Sequence, residues 1–280
     1  MKTGLIILGA QKCATTTMYH LLRAHPQMCA SKQKETNFFS EVVDWRADIH
    51  IYEQQFEHCR GQIRFEASPS YTYFPHKNLR IWEDMFAYNP DLKFIYLVRN
   101  PLDRIVSAYM HSFQRGFTDA PIDDAVFRRP GLLAVSRYYT QIIPFIRTFG
   151  RERVLIIDFD DFMLSQRATM DSVADFIGID ASLFNEQEDV HMNPSLNVSR
   201  THHKWDNQLL LKPVRKYFPK LWRRVIPKNT RTFAQKPVLS TDRKKAIIDV
   251  LDYEIDQLEK LMGKSLQHWK TVEHEKHPEL

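Results

Sequence analysis

At the amino terminus a strand, a glycine, a polar loop and a helix follow one another without a break. Leu5-Ile6-Ile7-Leu8 runs into Gly9, then Ala10-Gln11-Lys12-Cys13-Ala14-Thr15-Thr16-Thr17, then a helical pattern that ends at Ala24. A unit of this kind aims backbone N–H groups and the positive end of a helix dipole at one point, which makes an anion site. Three hydroxyls in succession add side-chain donors. Three further apolar runs predict strands: Ile63-Arg64-Phe65, Phe94-Ile95-Tyr96-Leu97-Val98 and Val154-Leu155-Ile156-Ile157. Runs that are apolar on both faces suit a buried parallel sheet. Helical patterns separate them at Thr16 to Ala24, Lys77 to Tyr88, Leu102 to Phe113 and Tyr138 to Phe149.

This alternation predicts an α/β fold: a P-loop-like parallel sheet flanked by helices and joined by right-handed crossovers. No strand is expected after Asp158. Thr169 to Ile177 and Thr241 to Met262 give a helical carboxy-terminal part, the latter with Ile248, Leu251, Ile255, Leu258 and Leu261 on one stripe and Gly263 as its stop. With no repeat, low-complexity segment or Gly/Ser linker, residues 1–280 are expected to form a single domain.

At 43% hydrophobic and 26% charged, the chain is too apolar for disorder. It lacks the roughly 18 uninterrupted apolar residues of a membrane span and a signal-peptide pattern, so a soluble, cytoplasmic protein is expected. Cys13, Cys29 and Cys59 are scattered, with no C-x-x-C pair. They predict neither a disulfide framework nor a zinc site, and suit a reducing compartment. Net charge is +5, but between Asp206 and Asp242 there are nine basic and no acidic residues, and subtracting nine leaves the rest of the chain at −4. The stretch 212–236 therefore points to an anionic ligand or surface, not to a general nucleic-acid coat. Into and along it Leu210, Val214, Tyr217, Leu221 and Val225 fall at helical spacing, which fits either short helices packed on the core or a lid that touches an anionic acceptor or a lipid surface through Phe218 and Trp222.

Compared with the Walker pattern G-x-x-x-x-G-K-[ST], Ala14 replaces the second glycine and Thr15 the lysine, while Lys12 sits three places earlier. A helix N-cap beside an incidental lysine is the plain alternative. The strand ending at Val98 delivers Arg99 where an NTPase would place a magnesium-binding aspartate, and Ser107 follows on the next helix. Arg99, folded back by the Asn100-Pro101 turn, and Ser107 are placed to grip one phosphate together. Arg104 and Asp103 are readable as a surface ion pair. The 12 histidines show no metal-ligand spacing, and His20, His25, His111 and His202-His203 are taken as structural or acceptor-side residues.

The loop from Gly9 to Thr17, the segment Lys34-Glu35-Thr36-Asn37-Phe38-Phe39, and Val98-Arg99-Asn100-Pro101 through Ser107 together resemble the sulfotransferases that use 3′-phosphoadenosine 5′-phosphosulfate. The similarity is to the branch with the heparan sulfate sulfotransferases and their bacterial relatives, and extends to Glu66-Ala67-Ser68-Pro69-Ser70-Tyr71 and the ending Leu261 to Trp269. The resemblance implies that Gln11, Lys12, Cys13, Ala14, Thr15, Thr16 and Thr17 bind the 5′-phosphosulfate, and that Arg99 and Ser107 bind the 3′-phosphate. It makes Lys12 the residue that stabilises the leaving phosphate and Glu35 the general base, partly buried beside Phe38 and Phe39 with a raised pKa. It implies no metal, and an acceptor hydroxyl on a glycan, lipid or small molecule. Two departures stand against a heparan-type acceptor: Ala67 replaces a lysine typical of those enzymes, and their Lys-Gly-rich loop near the carboxy terminus has no match. Arg200 and Lys204 are candidates for the missing donor contacts. A nucleotide kinase or NTPase, with Ile156-Ile157-Asp158 as a Walker-B-like strand end, and a non-catalytic binder of bisphosphorylated nucleotides are the competing readings.

Overall fold

The computed structural model describes residues 2–184, 200–203, 228–231, 233 and 235–272, with the backbone alone at 200–203 and 228–231. Strands β1 (Leu5–Gly9), β2 (Met28–Ala30), β3 (Ile63–Ala67), β4 (Lys93–Val98) and β5 (Val154–Asp158) form one parallel sheet in the order β2-β3-β1-β4-β5. The four expected strands are all there. β2 is added: three residues are too few to show a period, and Met28-Cys29-Ala30 is buried only because it pairs with Ile63, Arg64 and Phe65 of β3. With β1 in the middle, its exit is walled by β3 on one side and β4 on the other.

Helix α1 (Thr15–Ala24) follows β1, one residue earlier than its pattern suggested. Short helices α2 (Phe38–Glu41) and α3 (Trp45–Glu53) lie between β2 and β3. Helix α4 (Ile81–Tyr88) begins four residues later than expected. Helix α5 (Pro101–Gln114) starts where its sequence dictates, since Asn100 Oδ1 accepts the Leu102 N–H at 3.0 Å and Pro101 occupies a first-turn position that needs no donor. Helices α6 (Ile122–Arg128), α7 (Pro130–Ala134) and α8 (Tyr138–Phe149) precede β5, and α9 (Phe159–Leu164) and α10 (Gln166–Ile177) follow it. The last helix, Thr241–Met262, has the expected bounds, with Ser240 Oγ accepting the Arg243 N–H and Gly263 at φ 63° as its stop. It buries Ile247, Ile248, Leu251, Ile255 and Leu258, and also Glu254, whose carboxylate accepts Thr140 N–H at 2.9 Å and Thr140 Oγ–H at 2.5 Å in the first turn of α8.

Three expectations are corrected. Strands do not stop at Asp158: β6 (Arg200–His203) pairs antiparallel with β7 (Lys228–Arg231), two polar segments with no apolar run to announce them. Cys29 and Cys59 are joined in a disulfide, because β2–β3 pairing and the turn after Phe56 bring their Cα atoms to 5.8 Å, a proximity that spacing in sequence does not reveal; Cys13 alone is a thiol. Arg104 is fully buried and not a surface partner of Asp103, which instead pairs with Lys236 at 2.8 Å. Most of the basic stretch, including Lys212 to Arg224, and Lys204 lie outside the described residues. Phe233 packs against Phe113 and Tyr109 of α5, with ring centroids 4.8 and 6.0 Å away. Among the described residues no helix is long and apolar enough to cross a membrane.

Candidate active site

In a parallel sheet all strands end on the same edge, and ligands gather where neighbouring strands send their loops apart. Here the exits of β1, β2, β3 and β4 carry every candidate residue from the first half of the chain. The β1 loop is tied to β4 by Ala10 N–H donating to Leu97 O at 2.8 Å, so Gly9 to Thr17 lies beside the strand end that carries Arg99. At Gly9, φ is 143° and an added Cβ would stand 2.6 Å from Thr72 Oγ1, whose hydroxyl donates to Leu8 O at 3.0 Å. Only glycine fits there.

Beyond Gly9 the backbone takes a left-handed conformation at Lys12 (φ 74°) and again at Ala14 (φ 64°), the latter where the Walker pattern has glycine. Non-glycine residues held this way concentrate at functional loops. No side chain caps α1, so its first-turn donors are not taken up by a cap. Lys12 and Thr16 are half-buried and Gln11 exposed, whereas Thr15 and Thr17 are buried. Cys13 faces the other way: its N–H donates to Ala10 O at 3.2 Å, and its buried sulfur lies 3.8 Å from the Tyr138 hydroxyl. Burial pushes that thiol up to about 11, against a smaller opposing effect of the Arg104 charge.

Tyr138 also donates to Arg99 O at 2.8 Å, joining the loop, the end of β4 and helix α8. The Arg99 guanidinium lies over the Phe159 ring at 4.2 Å, and its Nε is buried with no hydrogen-bond partner among the described residues. Ser107 is buried on α5. From the same helix Arg104 turns inward, donating through Nε to Ser136 Oγ at 2.6 Å and through Nη2 to Leu132 O. Arg200 is in β6, away in sequence from these exits, and only its backbone is described.

Glu35 stands in the loop after β2, which is fastened to the end of β3: Ser31 N–H donates to Phe65 O at 2.9 Å, Ala67 N–H to Lys34 O at 3.3 Å and Asn37 N–H to Ser68 Oγ at 3.1 Å. The expected partial burial is not found. Phe38 and Phe39 are buried, but the Glu35 side chain is 52% exposed and its carboxylate is 3.1 Å from Lys34 Nζ. It lines a cleft of about 540 Å³ with Gln11 of the β1 loop, and with Tyr73, His111, Arg128 and Arg129. The cleft thus brings Glu35 and the phosphate-type loop together. The arginines carry no signal in sequence, where Arg128-Arg129-Pro130-Gly131 has only the look of a break between two short helices.

Nothing in the sequence marks Glu66 as a supporting residue of the site. Fully buried, it accepts from Ser68 Oγ at 2.5 Å, Tyr71 OH at 2.6 Å, Thr36 Oγ1 at 2.8 Å and Tyr52 OH at 3.0 Å. Burial raises its pKa and the four hydroxyls oppose the rise. Thr36 is the neighbour of Glu35, so the buried carboxyl anchors the backbone that carries it. Asp158, at the end of edge strand β5, is 3% exposed; it accepts from Lys264 Nζ at 2.7 Å and from the Asp160 N–H at 2.8 Å.

The model of the sulfotransferase domain matches residues 2–207, and the chain belongs to that family. It is 26% identical over 187 residues to heparan sulfate glucosamine 3-O-sulfotransferase 3B1 of Mus musculus, covering 62% of this chain and 45% of that one. To heparan sulfate glucosamine 3-O-sulfotransferase 6 of Homo sapiens it is 26% identical over 183 residues, covering 62% and 52%. The chain thus spans about half the length of these curated relatives. Among solved structures, a sulfotransferase from Alicyclobacillus acidocaldarius superimposes with a TM-score of 0.69 at 20% identity, over 97% of this chain and 100% of that one, a likeness of fold.

Proposed function

We propose that this protein transfers a sulfuryl group from 3′-phosphoadenosine 5′-phosphosulfate to an acceptor hydroxyl held in the cleft beside Glu35. The observation that carries the reading is the shared cleft: Gln11 from the loop between β1 and α1 and Glu35 from the loop after β2 line the same space. The donor carries phosphates at both ends, so it needs two anion sites, and the chain has two candidates on neighbouring strands, β1 and β4. The uncapped start of α1 and the left-handed loop suit the 5′ end. The unpartnered buried Nε of Arg99, and Ser107 buried on the helix that follows, suit the 3′-phosphate.

When bound, the donor supplies the sulfuryl group and a phosphate leaving group. Lys12 then holds the negative charge that develops on the leaving oxygen, a contact that strengthens as the bond breaks. Glu35 takes the proton from the acceptor hydroxyl on the opposite side of an in-line displacement. Its exposure in the open cleft leaves it reachable by an acceptor, with Lys34 Nζ 3.1 Å away. The occupied state of Asp158, held by Lys264 and by the start of α9, speaks against an NTPase that would use this carboxylate for magnesium.

A thermal-shift titration tests the reading first: adenosine 3′,5′-bisphosphate should stabilise the chain without magnesium, and ATP with magnesium should not. Transfer from radiolabelled donor to a panel of alcohols then separates an enzyme from a mere binder. Lys12→Ala should lower kcat by about 10²-fold or more, with a smaller loss of donor affinity. A mutant with normal kcat and only a raised KM makes Lys12 a ground-state anchor instead. Arg99→Ala should weaken adenosine 3′,5′-bisphosphate by roughly 1.5 to 3 kcal/mol while leaving adenosine 5′-phosphate unchanged. Equal losses for both nucleotides in calorimetry remove Arg99 from the 3′ site.

A further inference from the structure

Away from the cleft, three soft ligand atoms meet where β2 leaves the sheet. Cys29 Sγ lies 3.5 Å from His58 Nε2, and with Cys59 Sγ the three atoms are all within 4.8 Å of one another. Cys29 and Cys59 are buried at 7% and 8% exposure, while His58 is exposed. Two of the three atoms are locked in the disulfide. The third stands from Cys29 Sγ at the distance a shared metal would impose, since tetrahedral zinc with Zn–S of about 2.3 Å and Zn–N of about 2.0 to 2.1 Å separates sulfur from nitrogen by about 3.5 Å. The Cα separation of 5.8 Å leaves the two side chains free to part to the roughly 3.8 Å that two thiolates on one zinc require, by rotation alone.

We propose that Cys29, His58 and Cys59 form a thiol–disulfide centre that, once reduced, binds one soft divalent cation of the zinc class, with water in the fourth position on the exposed side of His58. A dithiol or phosphine supplies the two electrons: the S–S bond breaks and each sulfur takes up one proton, the dithiol giving both protons and ending as its own disulfide, or the phosphine ending as its oxide with water giving the oxygen and both protons. Metal binding then expels both thiol protons and takes the lone pair of neutral His58 Nε2. The centre sits at the root of the Glu35 loop. Lys32 N–H donates to Gln55 O at 3.0 Å, Gln33 N–H to Gln55 Oε1 at 3.1 Å, and Lys32 pairs with Glu57 at 3.1 Å, so the segment that ends in His58-Cys59 also holds the start of that loop. Disulfide and metal are thus two ways of making one tie, from β2 to the turn after Phe56.

Cobalt(II) provides the test. The full chain, reduced with a phosphine that is then removed without air, is titrated with Co²⁺. One equivalent should give the near-ultraviolet charge-transfer absorption of a thiolate–cobalt bond and the visible bands of a four-coordinate ion, and Zn²⁺ should abolish both. The oxidised chain should give neither. Cys59→Ser should lose the charge-transfer band of a two-thiolate site, and His58→Ala, a change at an exposed side chain, should weaken Co²⁺ by about tenfold or more, since even outer-shell partners of metal ligands are worth that much. The proposal is overturned if thiol titration shows the disulfide open yet no charge-transfer band forms, if either variant binds Co²⁺ as the parent does, or if reduction abolishes the thermal transition even with Zn²⁺ present.

Discussion

Cys13 and Glu35 occupy comparable places in sequence, each in a loop that leaves a strand at the same edge, yet their surroundings give them opposite parts. Cys13 is buried with its thiol pushed up to about 11, so it stays protonated at neutral pH and is no nucleophile. An alkylating reagent at pH 7 is expected to leave Cys13 unmodified in the folded chain and to label it once denaturant opens the core; rapid labelling of native protein, read by mass spectrometry, contradicts the burial. Glu35 is open to the cleft. As general base, it should tolerate Glu35→Gln in donor binding while kcat falls by about 10² to 10⁴-fold and the acidic limb of the pH–rate profile disappears. His111 lines the same cleft, and it is the rival base. Retention of more than about a tenth of the activity, with a limb near the usual histidine value of about 6.5, moves the role from Glu35 to a histidine.

The element that holds Glu35 in place is β3 with the segment that follows it. Its buried Glu66 has hydroxyl partners from three separate segments: Thr36, Tyr52, and Ser68 with Tyr71. Burial is the leading cause of its raised pKa, so the folded chain keeps this proton to higher pH than the unfolded chain does. Stability must then fall as pH rises from the ordinary carboxyl value of 4.5 to the raised one, and level off above it. Glu66→Gln has nothing to titrate, and urea unfolding across this window should lose the decline; equal slopes in parent and mutant exclude Glu66 as its source. Such a network is invisible in sequence, because four hydroxyl residues spread from Thr36 to Tyr71 have no common spacing. The strands were legible for the opposite reason. β1, β4 and β5 are local apolar runs, whereas β2 becomes a strand only through β3, and β6 and β7 are polar along their length. The same distinction separates the loop Gly9 to Thr17, written as a contiguous motif, from Arg128 and Arg129, which reach the cleft by packing.

On the scale of the whole molecule, the carboxy-terminal part is bound into the active edge and not appended to it. Lys264 reaches Asp158 at the end of β5, Glu254 caps α8, and Trp269 is fully buried with its ring 6.2 Å from that of Tyr138. Tyr138 in turn holds Arg99 O at 2.8 Å and stands 3.8 Å from the Cys13 sulfur. A line of contact therefore runs from the last described turn to both proposed phosphate sites. Trp269→Ala leaves a cavity behind Tyr138 and should lower stability by about 3 to 5 kcal/mol. Because Tyr138 is free to sink into that cavity, Arg99 and the β1 loop lose a common support, and binding of adenosine 3′,5′-bisphosphate should weaken even at temperatures where the mutant is fully folded. Trp269→Phe fills most of the space and should restore binding more completely than it restores stability. Calorimetric affinities for the three proteins, measured well below the lower Tm, decide the matter: unchanged nucleotide affinity in a folded Trp269→Ala protein shows that the carboxy-terminal turn supports the fold alone and has no part in shaping the site.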